Sequence, residues 1–322
     1  MNKSLQRTLL AAALAGLAGA FAAAPVAQAA APAVKTPAPG FYRIMVGDFE
    51  VTPINDGTVD LPVDKLLHEK PETTRTILEK NFLKAPLETS DNAFLVNTGS
   101  KLVLIDTGAG ALFGPTLGKF VNNLRAAGYQ PEQIDEIYIT HMHGDHVGGL
   151  VSNGQRVFPN AIVRASKADA DYWLSQANLD QAPADKKGGF KGAMTALNPY
   201  VQADKFKPIE ADGELVPGIS AMATHGHTPG HTSYVVDSHG QKLVLMGDLI
   251  HVAAVQFDNP GVTIAFDSDD KAAYASRKKV FDEAAKNGTL VAGAHLQFPG
   301  LGHIVSQGKG YRWIPVNFTQ MR

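Results

Sequence analysis

Cysteine is absent from this chain. That excludes a disulfide framework and any thiolate-ligated metal, so a metal site here must be built from histidine nitrogen and carboxylate oxygen. An excess of one charge is also lacking: 29 basic against 31 acidic residues give a formal net charge of -2. With no long basic tract there is no electrostatic footprint for nucleic acid, and a small substrate of little charge is the better match. Neither a G-x-S-x-G elbow nor a P-loop is present, so serine-nucleophile and P-loop phosphate chemistry lack their signatures. Long apolar runs are confined to the start, where Lys3 and Arg7 precede an Ala/Leu-rich run over residues 8–25 and the small-x-small site Ala27-Gln28-Ala29. Residues 1–29 therefore read as a signal peptide. The run is short for a bilayer span, so we expect no stable membrane insertion and a periplasmic or secreted protein after cleavage near Ala29.

What is present has a clear centre. Residues 134–150, IDEIYITHMHGDHVGGL, place His141, His143, Asp145 and His146 directly after a short β-prone run. Three of the 11 histidines lie within six residues beside an aspartate, and this donor set suits zinc with water in an open position. Three further segments carry histidine or aspartate where a strand ends: residues 224–233 with His225, His227 and His231, then Asp248, then His295. Two metal ions are the economical reading. The glycines flanking these donors suit a backbone crowded around two ions. Asp106, at the end of the strand over 102–105, is expected to support the histidines from behind.

Around these segments the pattern alternates sheet and helix. Residues 30–40, with three prolines, read as a flexible arm, and residues 41–322 as one domain. Short strands are expected over 41–45, 49–54 and 59–61, the last two separated by an Asp56-Gly57 turn. One helix is expected over 167–179. The polar, Gly-rich stretch 182–192 reads as a mobile loop carrying Phe190, and the following helix is expected to break near Pro199. Leu66 and Leu67 are candidates for a substrate mouth. Residues 270–287 read as a helix closed by Gly288.

HMHGDH followed by GHTPGH, GD and AH resembles the metallo-β-lactamase superfamily. The resemblance implies an α/β fold, an αββα sandwich of two central mixed sheets flanked by helices. It also implies a dinuclear centre in which His141, His143 and His231 bind one metal, Asp145, His146 and His295 the other, and Asp248 bridges both. His225 is then expected near the mouth or behind the ligands, and His227 in a hydrogen bond within its loop. Zinc is the default, with Co2+, Mn2+ or Ni2+ as other N/O-binding ions. The lack of cysteine and the presence of Asp248 depart from true β-lactamases, and the C-terminal region of the glyoxalase II branch is not recognisable. SDNAFLVNTGSKLVLIDTGAG, THGHTPGHTSY and GAHLQFPGLGH are most similar to the methyl parathion hydrolases and their secreted lactonase and arylesterase relatives.

That branch implies aromatic pocket walls at Phe113, Trp173 and Phe190, with His251 and Ile264 facing the same cavity; burial tendencies alone favour core positions for the aromatics. A polar His251 departs from the leucine expected in a dedicated phosphotriesterase. The expected function is hydrolysis of lactones and aryl esters with promiscuous organophosphate triesterase activity, water activated between the metals being the nucleophile and Asp145 and Asp248 the catalytic carboxylates. A dedicated organophosphate hydrolase and a noncatalytic binding protein with a structural metal are the alternatives. The resemblance also implies a homodimer.

Overall fold

The computed structural model describes residues 31–321, so the expected signal peptide lies outside the described residues. Residues 31–38 form no helix or strand. The domain takes over at Pro39, two residues before the expected boundary: the Gly40 amide donates to Asn123 Oδ1 at 3.1 Å and Phe41 bridges Ile54.

The first sheet begins with β1 (Ile44–Val46), β2 (Phe49–Leu61), β3 (Leu87–Asn97), β4 (Leu102–Ile105) and β5 (Glu136–Tyr138). After a two-stranded ribbon of β6 (Val151–Ser152) and β7 (Gln155–Arg156), β8 (Ile162–Arg164) completes it in the order β1-β2-β3-β4-β5-β8. The second sheet holds β9 (Gly213–Val216), β10 (Ile219–Ala223), β11 (Thr232–Ser238), β12 (Gln241–Leu245), β13 (Leu290–Ala292), β14 (Leu301–Gln307) and β15 (Gly310–Pro315), ordered β15-β14-β13-β12-β11-β10-β9. Both sheets are mixed: β4, β5 and β8 run parallel, as do β12 and β13, and the other neighbours are antiparallel.

Side chains alternate across each strand, and here both faces are covered. Val96, Val103 and Ile105 of the first sheet meet Ala221, Tyr234, Val236 and Leu245 of the second in one core between the sheets. Their neighbours Leu95 and Leu104 point the other way, onto Phe120 and Leu124 of the helix Phe120–Ala126 and Leu197 of the helix Lys187–Gln202. On the far side, Val291 and Ile304 pack on Val280 and Phe281 of the helix Asp270–Asn287. This is the αββα sandwich, and covering of both faces explains the continuous apolar runs AFLV and LVLI. Asp269 caps the last helix by accepting from the Ala272 amide, and Gly288 ends it in the left-handed conformation. No helix among the described residues is long and apolar enough to cross a membrane.

Three local expectations are corrected. Asp56-Gly57 is a bulge inside the continuous strand β2, not a turn between two strands. The buried Asp56 carboxylate accepts from the amides of Ala109, Gly118 and Phe120 at 2.7–3.0 Å, tethering the loop that carries Leu112 and Phe113. The single helix expected over 167–179 is two, Lys167–Trp173 and Gln176–Gln181, because Ser175 caps the second by accepting from the Asn178 amide. Phe190 lies in the helix Lys187–Gln202 rather than in a loop, and that helix continues through Pro199. Burial of Phe190, Leu197 and Tyr200 overrides the local breaker signals.

Candidate metal centre

Parallel pairing explains why residues far apart in sequence meet at one edge of the sandwich. In register, Ile105 of β4 lies beside Tyr138 of β5, and Leu245 of β12 beside Ala292 of β13. The chain leaving those four ends carries Asp106, then His141 to His146, then Asp248, then His295. The β10–β11 connection adds His227 between them.

Two donor groups with no residue in common result, each with its atoms within 4.8 Å of one another: His141, His143, His227 and Asp248, and Asp145, His146 and His295. Asp248 joins them. Its Oδ2 lies 3.3 Å from His227 Nε2, 3.6 Å from His141 Nε2 and 3.1 Å from His295 Nε2, and its Oδ1 3.3 Å from His146 Nε2. Asp145 Oδ2 reaches His146 Nε2 at 3.7 Å and His295 Nε2 at 3.6 Å.

Hydrogen bonds on the outer ring nitrogens turn the inner lone pairs toward this point. His146 Nδ1 donates to Asp106 at 2.8 Å, His227 Nδ1 to Asp267 at 2.8 Å, His295 Nδ1 to the Ser90 carbonyl at 3.0 Å and His141 Nδ1 to Thr140 Oγ1 at 3.1 Å. His143 faces inward through Nδ1, 3.1 Å from His227 Nε2. With the outer nitrogens of His141, His146, His227 and His295 held in this way, the inner one is the nitrogen offered to a cation, the arrangement typical of metal-binding histidine. His141 Nε2, His146 Nε2 and Asp248 Oδ1 are buried without a hydrogen-bond partner among the described residues. Buried acceptors facing one another fit a pair of cations.

Asp106 supports His146 as expected, and also accepts from the Thr140 amide and hydroxyl at 2.8 and 2.7 Å. Asp169, not singled out in the sequence, joins two ligand loops by accepting from the Met142 amide, Thr228 Oγ1 and the Gly230 amide. Asp267 was also missed; the buried Arg277 stands 3.9 Å behind it. Two of the flanking glycines answer to packing: a Cβ on Gly148 or Gly149 would lie 2.0 Å from the Ala109 or Thr107 carbonyl, so the crossing loop, not an ion, demands them.

The roles of His231 and His227 are exchanged relative to expectation. His231 Nδ1 is bonded to Thr224 and its Nε2 accepts the Asp248 amide at 3.0 Å, so neither nitrogen is available to a cation. His227 occupies the place expected for it. His225 is exposed, and its carbonyl accepts from Ser276 Oγ.

Of the expected pocket walls, Trp173 stands edge-on to His143 at 5.3 Å and Phe113 is half exposed against Gly144. Phe190 is 2% exposed and packs beneath Trp173 and Tyr172, so it backs the wall. Ile264 is fully buried in a cluster with Val63 and Leu67, which removes both Ile264 and Leu67 from the cavity surface. His251 is in the centre itself, and the exposed Phe266, 6.0 Å from its ring, is an aromatic at the mouth that the sequence reading passed over.

The electrostatics separate the rings. Burial, reinforced by neighbouring histidines, lowers His141 and takes His143 down to about 3. For His146, His227 and His295 burial opposes the charge, yet the surrounding carboxylates outweigh it and raise all three, His295 to about 9. Burial likewise opposes charge on Asp248, but four imidazoles, led by His146 and His295, hold it well below the carboxylate range. In chelator-stripped protein the raised rings carry protons that an incoming cation must displace. Their charged forms stabilise the stripped fold fully below the unfolded value of about 6.5, and for His295 this contribution is lost as pH rises through about 9. Cation affinity moves oppositely, strengthening over that window. Calorimetry at pH 7 in buffers of different ionisation enthalpy should therefore record proton release on zinc binding, diminishing at higher pH; buffer-independent heats would contradict the protonated rings.

Known proteins carry the same architecture. A family model described as the Metallo-beta-lactamase superfamily matches residues 88–295. The crystal structure of AbOPH, a hydrolase in the beta lactamase superfamily, is 40% identical with a TM-score of 0.84, covering 88% of this chain and all of its own. AidC, a dizinc quorum-quenching lactonase solved with an N-acyl homoserine product, is 30% identical with a TM-score of 0.81, over 87% of this chain and 99% of its own. The N-acyl homoserine lactonase of Bacillus cereus is 26% identical over 272 residues, 79% of this chain and 96% of the relative. With the family model spanning most of the chain and both halves of the donor set lying within it, this protein belongs to the metallo-β-lactamase superfamily.

Proposed function

We propose that the chain is a dinuclear metal-dependent hydrolase that opens lactones and cleaves aryl esters, with promiscuous phosphotriesterase activity. The observation that carries this reading is the buried Asp248 carboxylate, which meets inward ring nitrogens of both donor groups. In this reading His141, His143, His227 and Asp248 hold one cation, and Asp145, His146, His295 and Asp248 the other. Similarity to the dizinc lactonase AidC supports zinc and a lactone substrate, while Co2+, Mn2+ and Ni2+ also suit the donors. When bound, the two cations supply Lewis acidity toward a carbonyl or phosphoryl oxygen and make hydroxide available near neutral pH.

The residues of the chain do the rest. Asp106 and Asp267 hold His146 and His227 in the tautomer that leaves Nε2 inward. Phe113, Trp173 and Phe266 offer apolar surface to an acyl or aryl group and exclude water around the scissile bond. Asp145, whose side chain is 27% exposed, stands on the open side; its carboxylate takes the proton of the attacking water and returns it to the departing alkoxide as the ester C–O bond breaks, giving the hydroxy acid. An aryl leaving group, more acidic, needs that proton less. Export beyond the cytoplasm and a homodimer belong to the same proposal, tested by fractionation and light scattering.

The deciding experiment compares dihydrocoumarin, an aryl acetate, an acyl-homoserine lactone and methyl paraoxon on zinc-loaded protein. Higher kcat/KM for the carboxylic esters than for methyl paraoxon is expected. The reverse order would indicate a dedicated phosphotriesterase, and ligand binding without metal-sensitive turnover a binding protein.

A further inference from the structure

Resting on the two-cation reading, we propose that His251 is an additional nitrogen donor of the centre, sharing with His295 and Asp248 the cation on their side. His251 Nε2 lies 3.1 Å from Asp248 Oδ2, the same distance at which His295 Nε2 meets that oxygen. The three residues form a donor group of their own, within 4.8 Å. The two imidazoles stack, with centroids 5.0 Å apart and planes 20° from parallel, so both rings approach Asp248 from one side.

His251 is 3% exposed, and neither nitrogen has a hydrogen-bond partner among the described residues, because the approach to Asp248 is close but outside hydrogen-bonding geometry. A buried imidazole with both nitrogens unsatisfied is costly unless something binds there. Its placement is built rather than incidental. The His251 and Val252 amides both donate to Gln256 Oε1, at 2.8 and 2.9 Å, and the buried Gln256 donates onward to the Val262 carbonyl at 3.0 Å. A residue serving only as pocket wall would need neither a free nitrogen lone pair nor this anchoring of its backbone.

The test titrates chelator-stripped full-length protein with cobalt(II), followed by visible absorption and calorimetry, for the unsubstituted chain and His251→Phe. Phenylalanine keeps a planar ring against His295 and removes both nitrogens. Two binding steps are expected in the unsubstituted chain; in His251→Phe the first should be unchanged and the second weaker by about tenfold or more, with altered absorption. Two steps of unchanged affinity and spectrum in the variant would overturn the role of His251 while leaving the two-cation reading intact, whereas a single step in the unsubstituted chain would overturn that reading too. Ring-nitrogen NMR of His251 on zinc addition reads the bond without substitution: a large shift of one ring nitrogen is expected, and an unmoved pair would overturn the proposal even if the variant failed to fold.

Discussion

Asp248→Ala should abolish hydrolysis of every substrate, lowering kcat/KM by about a thousandfold or more, and should reduce bound metal from two equivalents to one or none. Inner nitrogens of five histidines, 141, 146, 227, 251 and 295, lie within 3.1–3.6 Å of its two oxygens, and the residue is 2% exposed. Among the described residues no other carboxylate touches both donor groups, Asp145 meeting His146 and His295. Without Asp248, the stripped site would hold mutually repelling imidazoles with less to balance them. Loss of one partner from a buried charged pair typically costs about 3–5 kcal/mol, and the histidines can shed protons to relieve part of that. Metal analysis beside steady-state kinetics checks the result. Two tightly held equivalents with near-normal turnover would refute a shared carboxylate.

The second large effect separates two histidines four residues apart. His227→Ala should lose one metal equivalent and nearly all activity, because its Nε2 faces His143 Nδ1 and Asp248 directly. His231→Ala should keep both equivalents and lose about 10- to 100-fold in metal affinity or activity, the usual effect of removing a group that orients a ligand. Its Nε2 holds the Asp248 amide, and its Nδ1 is occupied by Thr224. Stoichiometry by metal analysis distinguishes the two. If His231→Ala lost the equivalent and His227→Ala retained it, the geometric assignment would be reversed.

The His227 case shows where sequence reading reached its limit. In GHTPGH both histidines have the same kind of neighbours and either could face an ion. His231 adjoins Thr232, the first residue of β11, whose amide is held by the Thr140 carbonyl, and this brings its ring behind the Asp248 amide. His227 lies at the loop apex, where Asp267, forty residues later, turns its ring. Phe190 and Ile264 were misjudged for a related reason. Phe190 packs beneath Tyr172 and Trp173, and Ile264 packs against Val63 and Leu67, so neighbouring segments cover both.

Taken alone, the sequence determined the chemistry available: no thiolate, a dense set of imidazoles and carboxylates, and apolar runs long enough for strands buried on both faces. It also pointed to Asp106, a strand-end aspartate that can order a turn or hold a neighbouring donor, and which holds His146. Only the tertiary structure decided which donors converge, that His251 joins them, and which aromatics reach the mouth. Ligand type is a property of one residue, whereas the direction of a ring depends on hydrogen bonds and strand registers contributed by segments up to about two hundred residues away, such as Ser90 for His295.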